Sequence, residues 1–318
     1  MKSDPGLYGY NPWPGRPKVT WPNGARVAFW VAPNIEFYEL APPPNPSRTP
    51  WGRPIPDVVA YSHRDYGNRA GHWRMMEVMD KHGVRGSISL SIALCDHHPE
   101  IIEACAARNW EFFSHGIYNT RYCYGMDEAQ ERAIIQDSID TVMRATGQRI
   151  DGWLAPALTH TERTMDLLAE MGLTYTCDLF SDDQPQPVKV AKGRFVSVPY
   201  SLEMNDVIVY NSNNITPRRY ADILKANFDR LYEEGAENGT VMCIPLHAFL
   251  VGQPHRIAGL DEALAHITSH KDVWVTTGRE IARWYLDHHY DAAVAHVDAV
   301  EAQQAKLRAR LPNHRAGG

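Results

Sequence analysis

The sequence predicts an α/β barrel of seven or eight parallel strands with helices outside it. Three observations lead there. Apolar runs of strand length alternate with helical patterns through nearly all of the 318 residues. Eight such units are what a closed or nearly closed barrel uses in ~250 residues. No G-x-G-x-x-G follows an early strand and no G-x-x-x-x-G-K-[ST] occurs, so the nucleotide-binding forms of an open doubly wound sheet lose their main support.

The strand runs, in order, are 26–35, 84–91, 111–116, 152–157, 175–180, 195–201, 240–248 and 273–277, each followed by polar or Gly/Pro residues. Three helices have readable ends. One starts at Asn68 as N-cap and runs to His82 before Gly83. A second follows a Thr159/Glu162 capping box, carries Met165, Leu168 and Met171 on one stripe, and stops at Gly172. A third has Thr216 as N-cap and Pro217 as N1 and reaches Gly235, with Tyr220, Ile223, Leu224 and Leu231 on one face. Two segments break the rhythm. Residues 41–56 contain seven prolines and must form a stiff loop or arm, either a surface excursion or a lid or subunit grip. Residues 291–311 read as a polar, alanine-rich helix outside the barrel, a packing appendage or oligomer contact. The expected organisation is an N-terminal extension over 1–25, the barrel over 26–290 with the 41–56 insertion, and a helix and tail over 291–318.

Lys plus Arg total 32 against 38 Asp plus Glu, a net charge of -6. That is the wrong sign for a partner of nucleic acid or anionic lipid, and small molecules become the expected partners. Cys95, Cys105, Cys123, Cys177 and Cys243 form no C-x-x-C pair, so neither a disulfide framework nor a zinc ribbon is indicated and a reducing compartment fits. The opening MKSDPGLYGYNPWPG has no leader-length apolar core, and no 18-residue apolar window occurs. The expectation is a cytoplasmic protein off the membrane. The proline arm and terminal helix suggest a homo-oligomer.

Function collects where the strands of a parallel barrel end. The first ends in Asn34-Ile35-Glu36, the third in His115 with Asn119 and Arg121 beyond, the fourth in Leu154-Ala155-Pro156, and the seventh in His247; the fifth runs into Asp178 and Asp182-Asp183. Glu36 with His115 and His247 from two other strands is what hydrolytic acid/base chemistry needs.

The segments Arg64-Asp65-Tyr66-Gly67, Ser114-His115-Gly116, Gly152-Trp153-Leu154-Ala155-Pro156, Asp182-Asp183-Gln184-Pro185, Pro199-Tyr200-Ser201-Leu202-Glu203 with Asn205-Asp206, and Leu246-His247 with Gly252-Gln253-Pro254-His255-Arg256-Ile257 carry a resemblance. From Arg26 to about Tyr285 the chain resembles the polysaccharide deacetylase (NodB-homology) superfamily, closest in pattern to its allantoinase-like and cyclic-imide-hydrolase branch. The resemblance implies a distorted (β/α) barrel and hydrolysis of C–N amide-type bonds. It also exposes departures. Metal-dependent members present an Asp pair after the first strand and an H-x-x-x-H pair; here those positions hold Asn34 and Glu36, then His115 and Asn119. Glu36, His115 and Asn119 are the set that would hold one zinc-like divalent ion, but a carboxamide is a poor zinc ligand. Asn-x-Glu is similar to the allantoinase-like branch, which implies hydrolysis without a metal.

The expected function is therefore ring-opening of a small cyclic imide or ureide, whose electrophilic carbonyl and delocalised leaving nitrogen can do without a Lewis acid. Glu36 activates water, His115, Asn119 or backbone N–H groups hold the oxyanion, and His247 protonates the leaving nitrogen, with these roles exchangeable. Asn34, Arg64, Asp65, Asn119, Arg121, Pro156 and Asp183 are candidate substrate contacts. Trp51, Trp153 and Phe249 are read as packing residues that wall the pocket, Asp96-His97-His98 as helix capping, and Cys123 as an apolar filler. Gln253, His255 and Arg256 lie in a loop that lines the pocket or meets another subunit. The alternatives are a divalent-metal deacetylase of an N-acetylated sugar or amide, and a catalytically silent relative that only binds a ligand.

Overall fold

The computed structural model describes residues 6–45, 47, 49 and 51–310. Residues 1–5 of the expected extension, 46, 48 and 50 of the proline-rich segment and 311–318 of the tail lie outside the described residues.

The strands are β1 (Val27–Ile35), β2 (Ser87–Leu90), β3 (Glu111–Ser114), β4 (Gly152–Trp153), β5 (Tyr175–Thr176), β6 (Gln186–Pro187), β7 (Val196–Ser197), β8 (Thr240–His247) and β9 (Val273–Val275). They form one curled sheet in the order β6-β7-β5-β4-β3-β2-β1-β8, and β9 pairs with the first half of β1. All eight expected strands are present and parallel. The unexpected β6 runs antiparallel to β7. Strands β4, β5 and β7 keep only two paired residues each, shorter than their apolar runs. Among the described residues β6 and β8 do not pair, so the sheet is a distorted barrel left open along one seam.

Helices α1 (Val58–Tyr66), α2 (His72–Lys81), α3 (Leu94–His97), α4 (Pro99–Ala107), α5 (Glu128–Thr146), α6 (Thr164–Glu170), α7 (Pro217–Glu234), α8 (Ala248–Val251), α9 (Ile257–Thr268), α10 (Gly278–His288) and α11 (Tyr290–Arg310) complete the fold. Every residue of β1 is buried. Ala28, Trp30 and Ala32 face the interior with Phe113, Tyr175, Tyr200 and Cys243, while Val27, Phe29 and Val31 pack outward with Met75, Leu224 and Leu260. Burial on both faces explains why the run reads as continuously apolar.

The helix predictions divide by mechanism. Thr216 caps α7 by accepting from the Arg219 N–H, with Pro217 in the first turn, as expected. The Thr159/Glu162 capping box is not formed: the Thr159 hydroxyl donates to the Pro156 carbonyl and accepts from the Cys123 N–H. Helix α6 accordingly begins five residues later, at Thr164, and Gly172 still takes a left-handed turn after it, with φ +86°. Asn68 is not an N-cap. The helical run begins at α1, and Asn68 sits in a π turn over Gly67–Gly71 that joins α1 to α2. At the start of α4 no side-chain cap bond forms; His97 instead stacks on Phe37 with ring centroids 4.2 Å apart. The expected terminal helix is α11, with most of its length exposed.

Candidate active site

The register of the two longest strands brings the site together. β1 and β8 pair without interruption from Val27↔Thr240 to Asn34↔His247, so the end of β1 and the end of β8 reach the same rim. On the other side β1 leads to β2 through Ile35↔Leu90, and β2 leads to β3 through Leu90↔Ser114, one residue before His115. Glu36, His115 and His247 thus follow three strands that end at one level.

Glu36 is buried, at 8 % exposure. Its Oε1 stands 3.3 Å from His115 Nε2 and 3.6 Å from His247 Nε2. Its Oε2 accepts the Tyr38 hydroxyl at 2.5 Å, and the Tyr38 oxygen in turn accepts from Asn119 Nδ2 at 2.6 Å. Asn68 Nδ2 donates to the Glu36 backbone carbonyl. Burial by itself would raise the Glu36 carboxyl, but the imidazoles of His247 and His115 outweigh it and hold the group well below the usual carboxylate range.

The two imidazoles are fixed differently. His115 Nδ1 donates to the Leu154 carbonyl at 2.8 Å, so its Nε2 is the ring nitrogen turned to Glu36. Gly116, at φ +68°, makes this turn possible, because a Cβ there would come within 2.4 Å of Pro156 Cγ. His247 is anchored by Asp206, which is fully buried and accepts both the His247 backbone N–H and Nδ1–H at 2.8 Å. Burial pulls the His247 pKa down, yet Glu36 and Asp206 on either side raise it to about 10. Asp206, His247 and Glu36 form a carboxylate–imidazolium–carboxylate chain.

Arg64 reaches the same corner from α1. Its guanidinium lies 5.0 Å from the Tyr38 ring centroid, 5.1 Å from Trp51 and 5.7 Å from Phe249. Its Nε is buried without a hydrogen-bond partner, and so is Asn119 Oδ1 on the other side of Tyr38. These two orphaned atoms, one donor and one acceptor, flank the tyrosine that touches Glu36.

Several expected contacts lie elsewhere. Asn34 is buried beside His247, but its amide ties Tyr200 (2.8 Å) to the Leu246 carbonyl (3.2 Å) across the barrel. Asp65 pairs with Arg69 along α1 and the π turn. Arg121 is exposed and pairs with Glu39 at 2.6 Å. Pro156 is buried against Gly116. Asp183 is at the wrong end: its carbonyl accepts from Val241 N–H, near the start of β8, because the chain after Asp178 turns back along the open seam. There it lines a cavity of about 380 Å³ with Asp182, Tyr200, Glu203 and Cys243, and Asp182 pairs with Arg16. Trp51 and Phe249 do wall the Arg64 corner, whereas Trp153 is wholly within the core. Arg256 lies over the Tyr210 ring and Gln253 bonds the Phe249 carbonyl, while His255 is exposed.

Three residues escaped the sequence reading. Tyr38 follows Glu36 by two positions; Asp206 belongs to a quoted segment that was given no role; Asn68 was spent on a helix end. Only Asp206 had a sequence signal, its place in one of the segments that carry the resemblance. A second acid–imidazole pair stands nearby: buried Asp178 accepts from the Ala155 N–H and lies 3.2 Å from His160 Nε2.

The curled, mostly parallel sheet thus sets a carboxylate and two imidazoles together at its strand ends. Residues 53–176 match the family Polysaccharide deacetylase. A Schizosaccharomyces pombe (strain 972 / ATCC 24843) protein, provisionally named a polysaccharide deacetylase, is 27 % identical over 317 residues, covering 87 % of this chain and 97 % of its own. The solved structure of Puue allantoinase is similar at a TM-score of 0.77 and 29 % identity, over 87 % of this chain and 95 % of that one. A Pseudomonas aeruginosa PAO1 structure, also provisionally named a polysaccharide deacetylase, matches at a TM-score of 0.75 and 29 % identity, over 87 % and 96 %.

Proposed function

We propose that this chain hydrolyses a C–N bond of a small cyclic imide or ureide without a bound metal. The observation that carries the reading is the Glu36 carboxylate buried between two imidazole Nε2 atoms, at 3.3 and 3.6 Å. Glu36 and His115 are spaced as two ligands would be. The third position, however, is Asn119, which offers only its amide Oδ1, a poor zinc ligand beside imidazole. This donor set does not fit zinc.

In this reading a water bound between Glu36 and His115 loses its proton to His115 Nε2, and Glu36 stabilises the imidazolium that forms. The hydroxide attacks the ring carbonyl, and His247 delivers its Nε2 proton to the nitrogen as the C–N bond breaks. Asp206 keeps that proton on Nε2 by accepting Nδ1–H. The orphaned Arg64 Nε and Asn119 Oδ1 suit a ring that offers C=O and N–H groups at neighbouring positions. The likeness to an allantoinase supports a ureide of that size.

Asn34, Asp65, Arg121, Pro156 and Asp183 are assigned supporting roles and no substrate contact. The net charge of -6 supports a small-molecule substrate rather than nucleic acid. Five buried free thiols support a reducing, cytoplasmic setting, and no helix among the described residues is long and apolar enough to cross a membrane. Exposed Ile55, Val58 and Val59, at the end of the proline-rich segment, support a contact between copies of the chain.

The test is turnover of allantoin, hydantoin, succinimide and an N-acetyl sugar by the wild type, Glu36→Gln and His247→Ala, before and after exhaustive chelation. The expected result is ring-opening that survives chelation and falls by about 10²-fold or more in each variant. Turnover lost with chelator, or confined to the N-acetyl sugar, overturns the proposal.

A further inference from the structure

On the outer wall of the barrel, remote from the Glu36 rim, Asp229 of α7 meets His266 at the end of α9 and His270 just beyond it. One ligand atom from each of the three lies within 4.8 Å of the others, the only such His/Cys/Asp/Glu group among the described residues. His266 and His270 are one helical turn apart, so their rings share a face, with centroids 4.9 Å apart. His266 Nε2 contacts Asp229 Oδ1 at 2.6 Å.

An ion pair needs only one imidazole. The second is held as a metal-binding imidazole is held: His270 Nδ1 donates to the His266 backbone carbonyl at 2.9 Å, which leaves Nε2 as its available lone pair. The Phe228 and Tyr232 rings pack against His270 at 4.9 and 5.0 Å and fix its plane. A carboxylate and two imidazoles on half-exposed helix ends match zinc-like ions, which take N and O ligands at about 2.0–2.2 Å and fill the remaining position with water.

We infer that Asp229, His266 and His270 bind one divalent transition-metal ion that pins α7 to α9. Binding displaces the hydrogen shared by His266 and Asp229, and small movements of three side chains close the shell. The ion is structural. It braces two helices, α7 packed on β8 and α9 on β9, and it takes no part in the reaction proposed at Glu36. Zinc found in the purified protein is therefore assigned to this wall and not to the rim.

Chelator-stripped full-length protein is titrated with Zn²⁺ by calorimetry and with Co²⁺ by visible absorption, alongside thermal unfolding and hydrolysis assays. One ion per chain is expected, with a rise in Tm as zinc is added. His270→Ala and Asp229→Asn should each weaken binding at least about tenfold, since even loss of a group that only orients a ligand costs that much. Both variants should fold and keep wild-type hydrolysis, and Glu36→Gln should keep the ion. Absence of binding to the wild type overturns the inference. So does binding that survives His270→Ala, and if it is also lost in Glu36→Gln the ion sits at the rim and the metal-free reading falls separately.

Discussion

At Glu36 burial and charge pull in opposite directions, and the outcome sets the chemistry. A carboxylate at this depth would ordinarily take up a proton, but two imidazoles within 3.6 Å keep it ionised. The same field acts in reverse on His247, whose pKa of about 10 leaves it charged and able to donate at neutral pH. The sign of the linkage follows: this charge contributes stability in full below about pH 6.5, and the contribution is lost as pH rises through about 10. In the proposed mechanism catalysis has the same upper limit, because the acid form of His247 disappears there. Replacing Asp206 by Asn keeps the shape but removes one of the two charges that hold the proton. The expected outcome is a fall in kcat of about 10²-fold or more and an alkaline limb of kcat/KM shifted to lower pH. A pH–rate profile checks this; a limb that stays in place removes Asp206 from the mechanism.

The element that delivers His247 is held by backbone rather than by side chains. The π turn Gly67–Gly71 and α8 approach so closely that a Cβ on Gly71 would lie 2.0 Å from the Ala248 carbonyl oxygen, and one on Gly252 would lie 2.4 Å from Gly71 Cα. Arg74 adds bonds to the Gly252 carbonyl and the Tyr66 hydroxyl. The turn also carries Asn68, which bonds the Glu36 carbonyl, so one irregular segment helps to position both His247 and Glu36. Gly71→Ala should destabilise the protein by about 1–3 kcal/mol in denaturant unfolding, and lower kcat at unchanged metal content by displacing α8. A variant with wild-type stability would show that the turn yields freely. The expected Asn68 helix start failed here because a π turn continues the helix through Gly67, and no local propensity encodes that register shift.

At the scale of the molecule the barrel buries its reactive groups unevenly. Its open seam holds a cavity of about 380 Å³, while the proposed chemistry sits in a corner roofed by Trp51 and Phe249. All five thiols are inside: burial pushes Cys95 up to about 11 and Cys123 up to about 12, and Cys105, Cys177 and Cys243 higher still. Native protein should therefore leave all five unreacted with a thiol reagent at pH 8 and expose all five in denaturant. A thiol that reacts rapidly in the native state would mean that the wall over it opens.

The amino-acid sequence by itself determined eight of the strands and that they run parallel, but not the antiparallel β6. Eight apolar runs separated by helical patterns have one economical arrangement, and a strand buried on both faces leaves an unmistakable run such as the one in β1. It also determined that Glu36, His115 and His247 end their strands at a common rim, since parallel strands in register end together. Only the tertiary structure decided which polar residues share that rim. Asp183 and Asp206 look alike in sequence, yet one is carried back along the seam to the start of β8 and the other is driven under His247. The bonds that separate them are made between residues 41 to 58 positions apart, and contacts of that span depend on how the barrel curls, which no local pattern specifies.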